Sequence, residues 1–210
     1  METLRTMIRQ IDQIIWYYIN TQWHNAFLDW LIPFLRNQYF WVPVYLFLFV
    51  FMLLNYGRKG LDWVIGFLLT FGAADWICAS VIKPFVGRLR PCNNPDLQNY
   101  IHLLVECGGG KSFPSNHAAN HFAFAAFINA TIGKTYPGIR KWTWLWPVIV
   151  SYSQVYVGVH FPLDVLAGGL LGVSIGSLTG SLYNRYAGRL QPLPVRASIQ
   201  QPVAEQPTGF

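Results

Sequence analysis

The sequence predicts an all-α fold, a polytopic membrane helical bundle of about five transmembrane helices preceded by N-terminal amphipathic interfacial helices. Three observations carry this prediction. Of the 210 residues, 53% are hydrophobic and 11% charged, against roughly 25% charged in a water-soluble domain. Aromatic residues make up 17%, with nine Trp, an amount of apolar surface that lipid solvates and water does not. Charged residues are also spaced to leave long uncharged intervals, and about 20 apolar residues rising 1.5 Å each cross a hydrocarbon core as a helix.

In chain order, Leu4, Ile8, Ile11, Ile14, Ile15 and Tyr18 recur at helical spacing opposite Arg5, Arg9, Asp12 and Gln13. This face is too polar to span, so residues 1–36 read as one or two helices lying in the interface, with Trp16, Trp23 and Trp30 at headgroup depth. A short sixth crossing over Phe27 to Leu35 is the alternative. Asp12 and Gln13 stand where a signal peptide has its apolar core, so no cleavable targeting segment is expected. The spans then fall within residues 37–186: Asn37 to Gly57, Leu61 to Ile82 (interrupted by Asp62 and Asp75), Ser112 to Gly133, Trp142 to Leu163 and Val165 to Asn184. Prolines 33, 43, 84, 91, 114, 137, 147 and 162 mostly punctuate their ends, where a missing N–H costs least. Gly168, Gly172, Gly176 and Gly180 repeat every four residues along the last span, a spacing that permits close helix packing. Residues 1–186 thus form one transmembrane domain, and 187–210, with four prolines among polar residues, a disordered cytoplasmic tail.

The formal charge is +6, yet no run of five Lys/Arg exists. That pattern excludes nucleic acid as a partner and favours a bilayer surface or an anionic lipid headgroup. The sequence is silent on oligomeric state. Three cysteines are too few for a disulfide scaffold. Cys92 and Cys107 bracket one loop, and either a disulfide there, if the loop is extracytoplasmic, or two free thiols fits the spacing.

Five antiparallel crossings put the loops at 83–114 and 158–164 on one side of the membrane, and those at 55–60 and 134–141 with the tail on the other. Lys and Arg divide seven to eight between these sides. Setting aside Lys83, Arg88, Arg90 and Lys111 as anion-binding residues makes the division three to eight, and positive-inside then places the first side outside the cytoplasm. An integral protein of a bacterial inner membrane, its polar clusters facing the periplasm or exterior, is the expected localisation.

Those four cations, with the free N–H groups and dipole of a helix starting at Pro114-Ser115, describe a phosphate or sulfate cradle. His160 and Asp164 are four apart, so the carboxylate can fix the imidazole tautomer and raise its basicity, making His160 a nucleophile candidate. His117, beside the cradle, can give a proton to a leaving oxygen and later take one from water. His117 and His121 form an H-x3-H pair without the Glu of a zincin motif, so no metal is expected, and no cofactor either. Asp75, inside the second span, is equally a functional carboxylate or a structural hydrogen-bond partner.

Lys83-x6-Arg90-Pro91, Pro114-Ser115-x-His117 and Ser153-x6-His160-x3-Asp164, in this order over about 80 residues, resemble the three signature motifs of the type 2 phosphatidic acid phosphatase (PAP2) superfamily. The resemblance covers Leu61 to Asn184 and implies metal-independent hydrolysis of phosphate esters or anhydrides on a helical bundle. It implies His160 as nucleophile, Asp164 as its orienting partner, His117 as acid/base, and Lys83, Arg90, Ser115 and the Asn116 backbone as phosphate ligands. Two positions depart from the family pattern: Asn116 stands where Gly is usual, and Gln154 where Arg is usual. The second removes a bidentate phosphate clamp, for which Arg88 or Lys111 could compensate. The expected substrate is a membrane lipid phosphate, first an undecaprenyl pyrophosphate-type polyprenyl diphosphate, then phosphatidylglycerophosphate, phosphatidate and lipid A phosphates, hydrolysed through a phosphohistidine. A phosphotransferase sharing the same phosphohistidine, and a non-catalytic lipid-phosphate binder or transporter, are the alternatives. Soluble haloperoxidases share the motifs, but five spans argue against them.

Overall fold

The structure, a computed structural model, describes residues 2–191. The described residues form eight α-helices: α1 (Glu2–Tyr17), α2 (Ala26–Arg36), α3 (Val42–Trp76), α4 (Lys83–Val86), α5 (Asn116–Ala130), α6 (Ile132–Thr135), α7 (Arg140–Tyr156) and α8 (Pro162–Tyr186), joined by loops with short 3-10 and π turns. The tail expected over 187–210 lies outside the described residues from residue 192 onward, while Leu190 is buried in the core.

Gly57, at φ 53° and ψ −124°, interrupts α3. Only glycine enters such a conformation without steric cost, and here it folds the helix back on itself. Phe49 and Phe67 therefore pack edge to face with centroids 5.5 Å apart, although 18 residues of straight helix would separate them by about 27 Å. The reversal is tight enough that a Cβ at Gly60 would lie 2.0 Å from the Met52 carbonyl oxygen.

The expectation of about five crossings is corrected here. Among the described residues, two helical stretches are long and apolar enough to cross a membrane: Gln38–Val86, which contains the fold at Gly57, and Pro162–Tyr186. The interval from Ser112 to Gly133 holds a 15-residue helix, α5, and that from Trp142 to Leu163 belongs to a 17-residue helix, α7. Both fall short of about 20 residues. α5 is a core helix, with eleven of its residues buried. With those two intervals removed as spans, the parity assignment of loops to membrane sides loses its basis.

α5 and α8 make the closest helix contact. A Cβ added at Gly168, Gly172 or Gly176 would lie 2.5, 2.2 or 2.1 Å from the carbonyl oxygens of Ser115, Ala119 and Ala123, so the glycine row lets the two backbones touch, as its spacing implies. Gly168 thereby sets the second turn of α8 directly on the start of α5. Phe67 and Phe124 stack at 4.2 Å beneath this pair, and Trp63 Nε1 donates to Thr131 Oγ1 at 2.8 Å. Outward faces are apolar: Phe47, Leu54, Leu69, Leu166 and Leu170 are all exposed, an arrangement that a bilayer solvates.

α1 follows the same inverted logic. Its apolar stripe, Leu4, Ile8, Ile11 and Ile14, is exposed, whereas Asp12 and Trp16 are buried against the bundle. Asn20, in the turn after α1, is fully buried and ties three segments, donating to the carbonyls of His102 and Tyr156 at 2.7 Å each and accepting from His102 N–H at 2.9 Å. α2 begins with Asn25 capping Leu28 N–H and buries Ile32 against Tyr156, Val157 and Val159 beyond the end of α7. Of the two cysteine readings the disulfide holds: Cys92 and Cys107 are joined, and Cys78 is free and buried.

Candidate active site

The turn after α7, the start of α8, the loop after α4 and the start of α5 converge at one end of the bundle. His160, 1% exposed, is the centre. Its Nδ1–H faces two acceptors, Ser112 Oγ at 3.3 Å and Asp164 Oδ2 at 3.4 Å. Ser112 in turn donates its hydroxyl to Asp164 Oδ2. Nδ1 is thereby the protonated nitrogen, and the lone pair stays on Nε2. Nε2 points the other way, 3.4 Å from Arg90 Nη1.

Asp164 is placed by its helix. As the third residue of α8 it accepts the N–H of Phe161, the N-cap, at 2.8 Å, and its remaining oxygen accepts from Arg88 Nη1 at 2.9 Å. Arg88 also donates to Asp12 and lies over the Phe161 ring, 4.1 Å from its centroid. Asp12 accepts the Leu163 N–H at 2.8 Å as well, so α1 is bolted to the first turn of α8. Arg88 is therefore committed to two buried carboxylates and is a strut of the site. Lys111 is exposed, with no hydrogen bond or ion pair among the described residues. Arg88 is thus engaged away from the place of the cation missing at position 154.

Ser115 is the N-cap of α5, its hydroxyl accepting from Ala118 N–H at 3.4 Å, and its own N–H donates to the Asp164 carbonyl at 2.9 Å. Asn116 opens the helix in ordinary α geometry, so the glycine usual at that position is not needed for its backbone angles. Its amide is turned toward α3, donating to Asp75 Oδ1 at 2.7 Å, and Asn120 donates to the same oxygen at 3.0 Å. Asp75 is thus a hydrogen-bond hub between α3 and α5, the structural of its two readings. Lys83 and Arg90 are half-buried, and Arg90 also reaches the Val159 carbonyl at 3.4 Å. Among the described residues, Arg90 Nε and Gln154 Nε2 are buried donors without a partner. Unpartnered buried donors are costly.

His117 sits where the cradle meets a cavity of about 510 Å³, whose walls include Val42, Tyr45, Phe49, Phe67, Phe71 and Phe124. His121 is occupied elsewhere: its Nδ1 donates to the His117 carbonyl at 2.8 Å and its Nε2 accepts from Tyr45 at 3.3 Å. The H-x3-H pair therefore does not converge on one point. A separate group, His24, Asp29 and His102, links α2 to the disulfide loop, with His102 Nε2 3.0 Å from Asp29 Oδ2 and Tyr156 donating to Asp29 Oδ1 at 2.7 Å.

Burial pushes the His160 imidazole down to about 4, more than the neighbouring Asp164 carboxylate raises it. Burial and then the charge of Arg36 take His117 to about 3, and burial takes His121 to about 4. All three folded values lie below the ordinary 6.5. As pH falls from about 6.5 toward 4, the unfolded chain binds protons that the folded one refuses, so stability drops through that window. Thermal unfolding in detergent should show a midpoint falling steadily over it; a flat or rising midpoint would contradict the buried, neutral imidazoles.

Three residues of the site carried no role in the sequence reading: Ser112, Asp12 and Arg36, whose Nε donates to Gln154 Oε1 at 3.2 Å. Ser112 lies two residues before Pro114, close enough to the second motif to have been suspected. Asp12 and Arg36 are separated from their partners by 76 or more residues, and no local spacing could reveal them.

Residues 62–186 match the sequence pattern of the PAP2 superfamily. The chain is 35% identical over 177 residues to the lipid A 4′-phosphatase of Bacteroides thetaiotaomicron, an alignment covering 81% of this chain and 78% of that protein. It is 36% identical over 161 residues to the undecaprenyl-diphosphatase of Sulfolobus acidocaldarius, covering 73% of this chain and 70% of the relative. In fold it resembles the crystal structure of a transmembrane PAP2-type phosphatidylglycerolphosphate phosphatase from Bacillus subtilis, with a TM-score of 0.69 over 86% of this chain and 88% of that one at 23% identity. The motif residues gathered around His160 and the extent of these matches make this chain a member of the PAP2 superfamily, a membrane lipid phosphatase of the metal-independent kind.

Proposed function

We propose that this phosphatase removes a phosphate monoester from the headgroup of a lipid A-type glycolipid, through a covalent phosphohistidine on His160. One observation carries the reading of the site: Nε2 of a neutral imidazole, its Nδ1–H held by Asp164 and Ser112, looks into a group of cations that adjoins an apolar cavity at His117. The cavity accepts the lipid side of the substrate and the cradle its phosphate.

The Nε2 lone pair attacks phosphorus, the bond from phosphorus to the lipid oxygen breaks, and His117 protonates that oxygen. Water then attacks the phosphohistidine, giving its proton to His117, and the P–N bond electrons return to Nε2 as inorganic phosphate leaves. Lys83, Arg90, Ser115 and the N-terminal N–H groups of α5 offset charge on the equatorial oxygens. His117 is neutral in the empty site, and the negative phosphate raises its affinity for the proton it must donate. The Cys92–Cys107 disulfide lies in the loop between Arg90 and Lys111, which favours a site facing the oxidising, extracytoplasmic side.

The choice of lipid rests on two lipid A 4′-phosphatases among the relatives, at 35% and 27% identity over 81% and 84% of this chain. The Sulfolobus relative motivates polyprenyl diphosphate as the second reading. Phosphate release from lipid A, undecaprenyl diphosphate, phosphatidylglycerophosphate and phosphatidate by detergent-purified protein, with chelator present, tests this. Fastest release from lipid A is expected; a preference for the polyprenyl diphosphate would move the assignment to the second reading, and release from none would overturn both.

A further inference from the structure

We propose that Arg36, on the last turn of α2, supplies the phosphate-binding positive charge that the third motif lacks in this chain, and that Gln154 is the residue that holds it there. This rests on the reading of His160 and its surroundings as a phosphate site. Gln154 stands where the family pattern has an arginine, is fully buried, and uses its Oε1 to accept from Arg36 Nε at 3.2 Å. With Nε so engaged, the two terminal nitrogens of the guanidinium remain as a fork for phosphate oxygens. Gln154 Nε2 and Arg90 Nε, both buried, have no partner among the described residues. The charge of Arg36 is felt at His117 and is itself opposed by Arg90.

The exchange has a simple physical logic. Arginine at 154 would bring a second guanidinium against Arg36 in a half-buried site, which is unfavourable. A glutamine removes that repulsion and offers the carbonyl oxygen that orients the incoming guanidinium. α2 is well placed to deliver it, because Ile32 packs on Tyr156, Val157 and Val159, Tyr156 donates to Asp29, and Trp41 Nε1 donates to the Leu35 carbonyl at 2.9 Å. Arg36 therefore arrives on a fixed element. It also lies outside residues 62–186, the part matching the family pattern, so the phosphate site is completed by the N-terminal helices.

The test compares Arg36→Gln, Arg36→Lys, Gln154→Arg and the double exchange Arg36→Gln/Gln154→Arg, each purified in detergent and checked for helicity by circular dichroism. Two readouts are taken: kcat and KM on the lipid phosphate that the wild type cleaves fastest, and binding of inorganic phosphate followed by ³¹P NMR. Arg36→Gln should lower kcat/KM by about 10²-fold and weaken inorganic phosphate binding by about tenfold, with Arg36→Lys in between. The double exchange should recover to within about tenfold of wild type, since it returns one guanidinium to the site. Activity and phosphate binding of Arg36→Gln within a factor of about two of wild type would overturn the proposal. So would a double exchange no better than Arg36→Gln, which would assign Arg36 to packing alone. If wild type releases phosphate from no lipid, the functional reading fails while the inorganic phosphate comparison still decides the role of Arg36.

Discussion

Replacing His160 with alanine should lower phosphate release by at least about 10⁴-fold, the scale seen when the nucleophile of a covalent mechanism is removed. The expectation follows from geometry. Two neighbouring groups are otherwise committed: His121 has both ring nitrogens engaged, and Ser112 spends its proton on Asp164. The substitution leaves a small cavity under the cations but removes no strut, because Arg88 still joins Asp12 and Asp164. His160→Ala should therefore retain its helicity and still bind inorganic phosphate. Full phosphate release by this variant would refute the nucleophile assignment.

Asp164→Asn is expected to cost about 10³ to 10⁴-fold in kcat, comparable to the loss when a carboxylate orienting a catalytic imidazole becomes an amide. Oδ2 of Asp164 accepts from three donors, the Phe161 N–H, the Ser112 hydroxyl and the His160 Nδ1–H, while Oδ1 accepts from Arg88. An amide can keep one oxygen as acceptor, but its NH2 then faces the Arg88 guanidinium, or, if flipped, opposes the proton on Nδ1. The first orientation sets donor against the Arg88 cation, and the second frees the imidazole to place its proton on Nε2, where it blocks attack. KM should move less than kcat, because the phosphate ligands are untouched. A variant with wild-type kcat would show that the Nδ1 contact is only structural. The loss of the Arg88 pair should also lower the unfolding midpoint, since it leaves a guanidinium short of one buried partner.

The residues that the structure gathers around His160 could be grouped from the sequence where their spacing is local. His160 and Asp164 are four residues apart, Ser115 caps the helix that carries His117, and Lys83 and Arg90 flank one short turn, so local spacing brings each set together. Arg88 shows the limit. Two residues from Arg90 and equally cationic, it was grouped with the phosphate ligands, yet its partners Asp12 and Asp164, each 76 residues away, claim it for the scaffold. Arg36 is the converse, a residue counted only as loop charge that the packing of α2 on the end of α7 brings to Gln154.

The helix count failed for a related reason. Uncharged intervals measured span length only if the ends of each interval were helical, and here the loops are uncharged too. Ser112 to Ser115 precede α5, and Val157 to Phe161 follow α7, so both intervals overstate their helices. Conversely, Gly57 marked the end of the first expected interval correctly, and its positive φ is what turns α3 back on itself. The glycine row of the last span was read correctly because its purpose, backbone contact with a neighbour, depends on periodicity within one helix.

The central claim is a phosphoryl group carried on His160 Nε2. Its most direct test is to mix the purified protein with lipid phosphate labelled in its phosphoryl group, quench within the first turnover under alkaline conditions that preserve phosphohistidine, and locate the label by peptide mass spectrometry. The mechanism predicts a phosphorylated peptide modified at His160, lost on brief acid treatment and absent from His160→Ala. Label passing to free phosphate in the wild type with no protein-bound label at any quench time, or label on a residue other than His160, would contradict it.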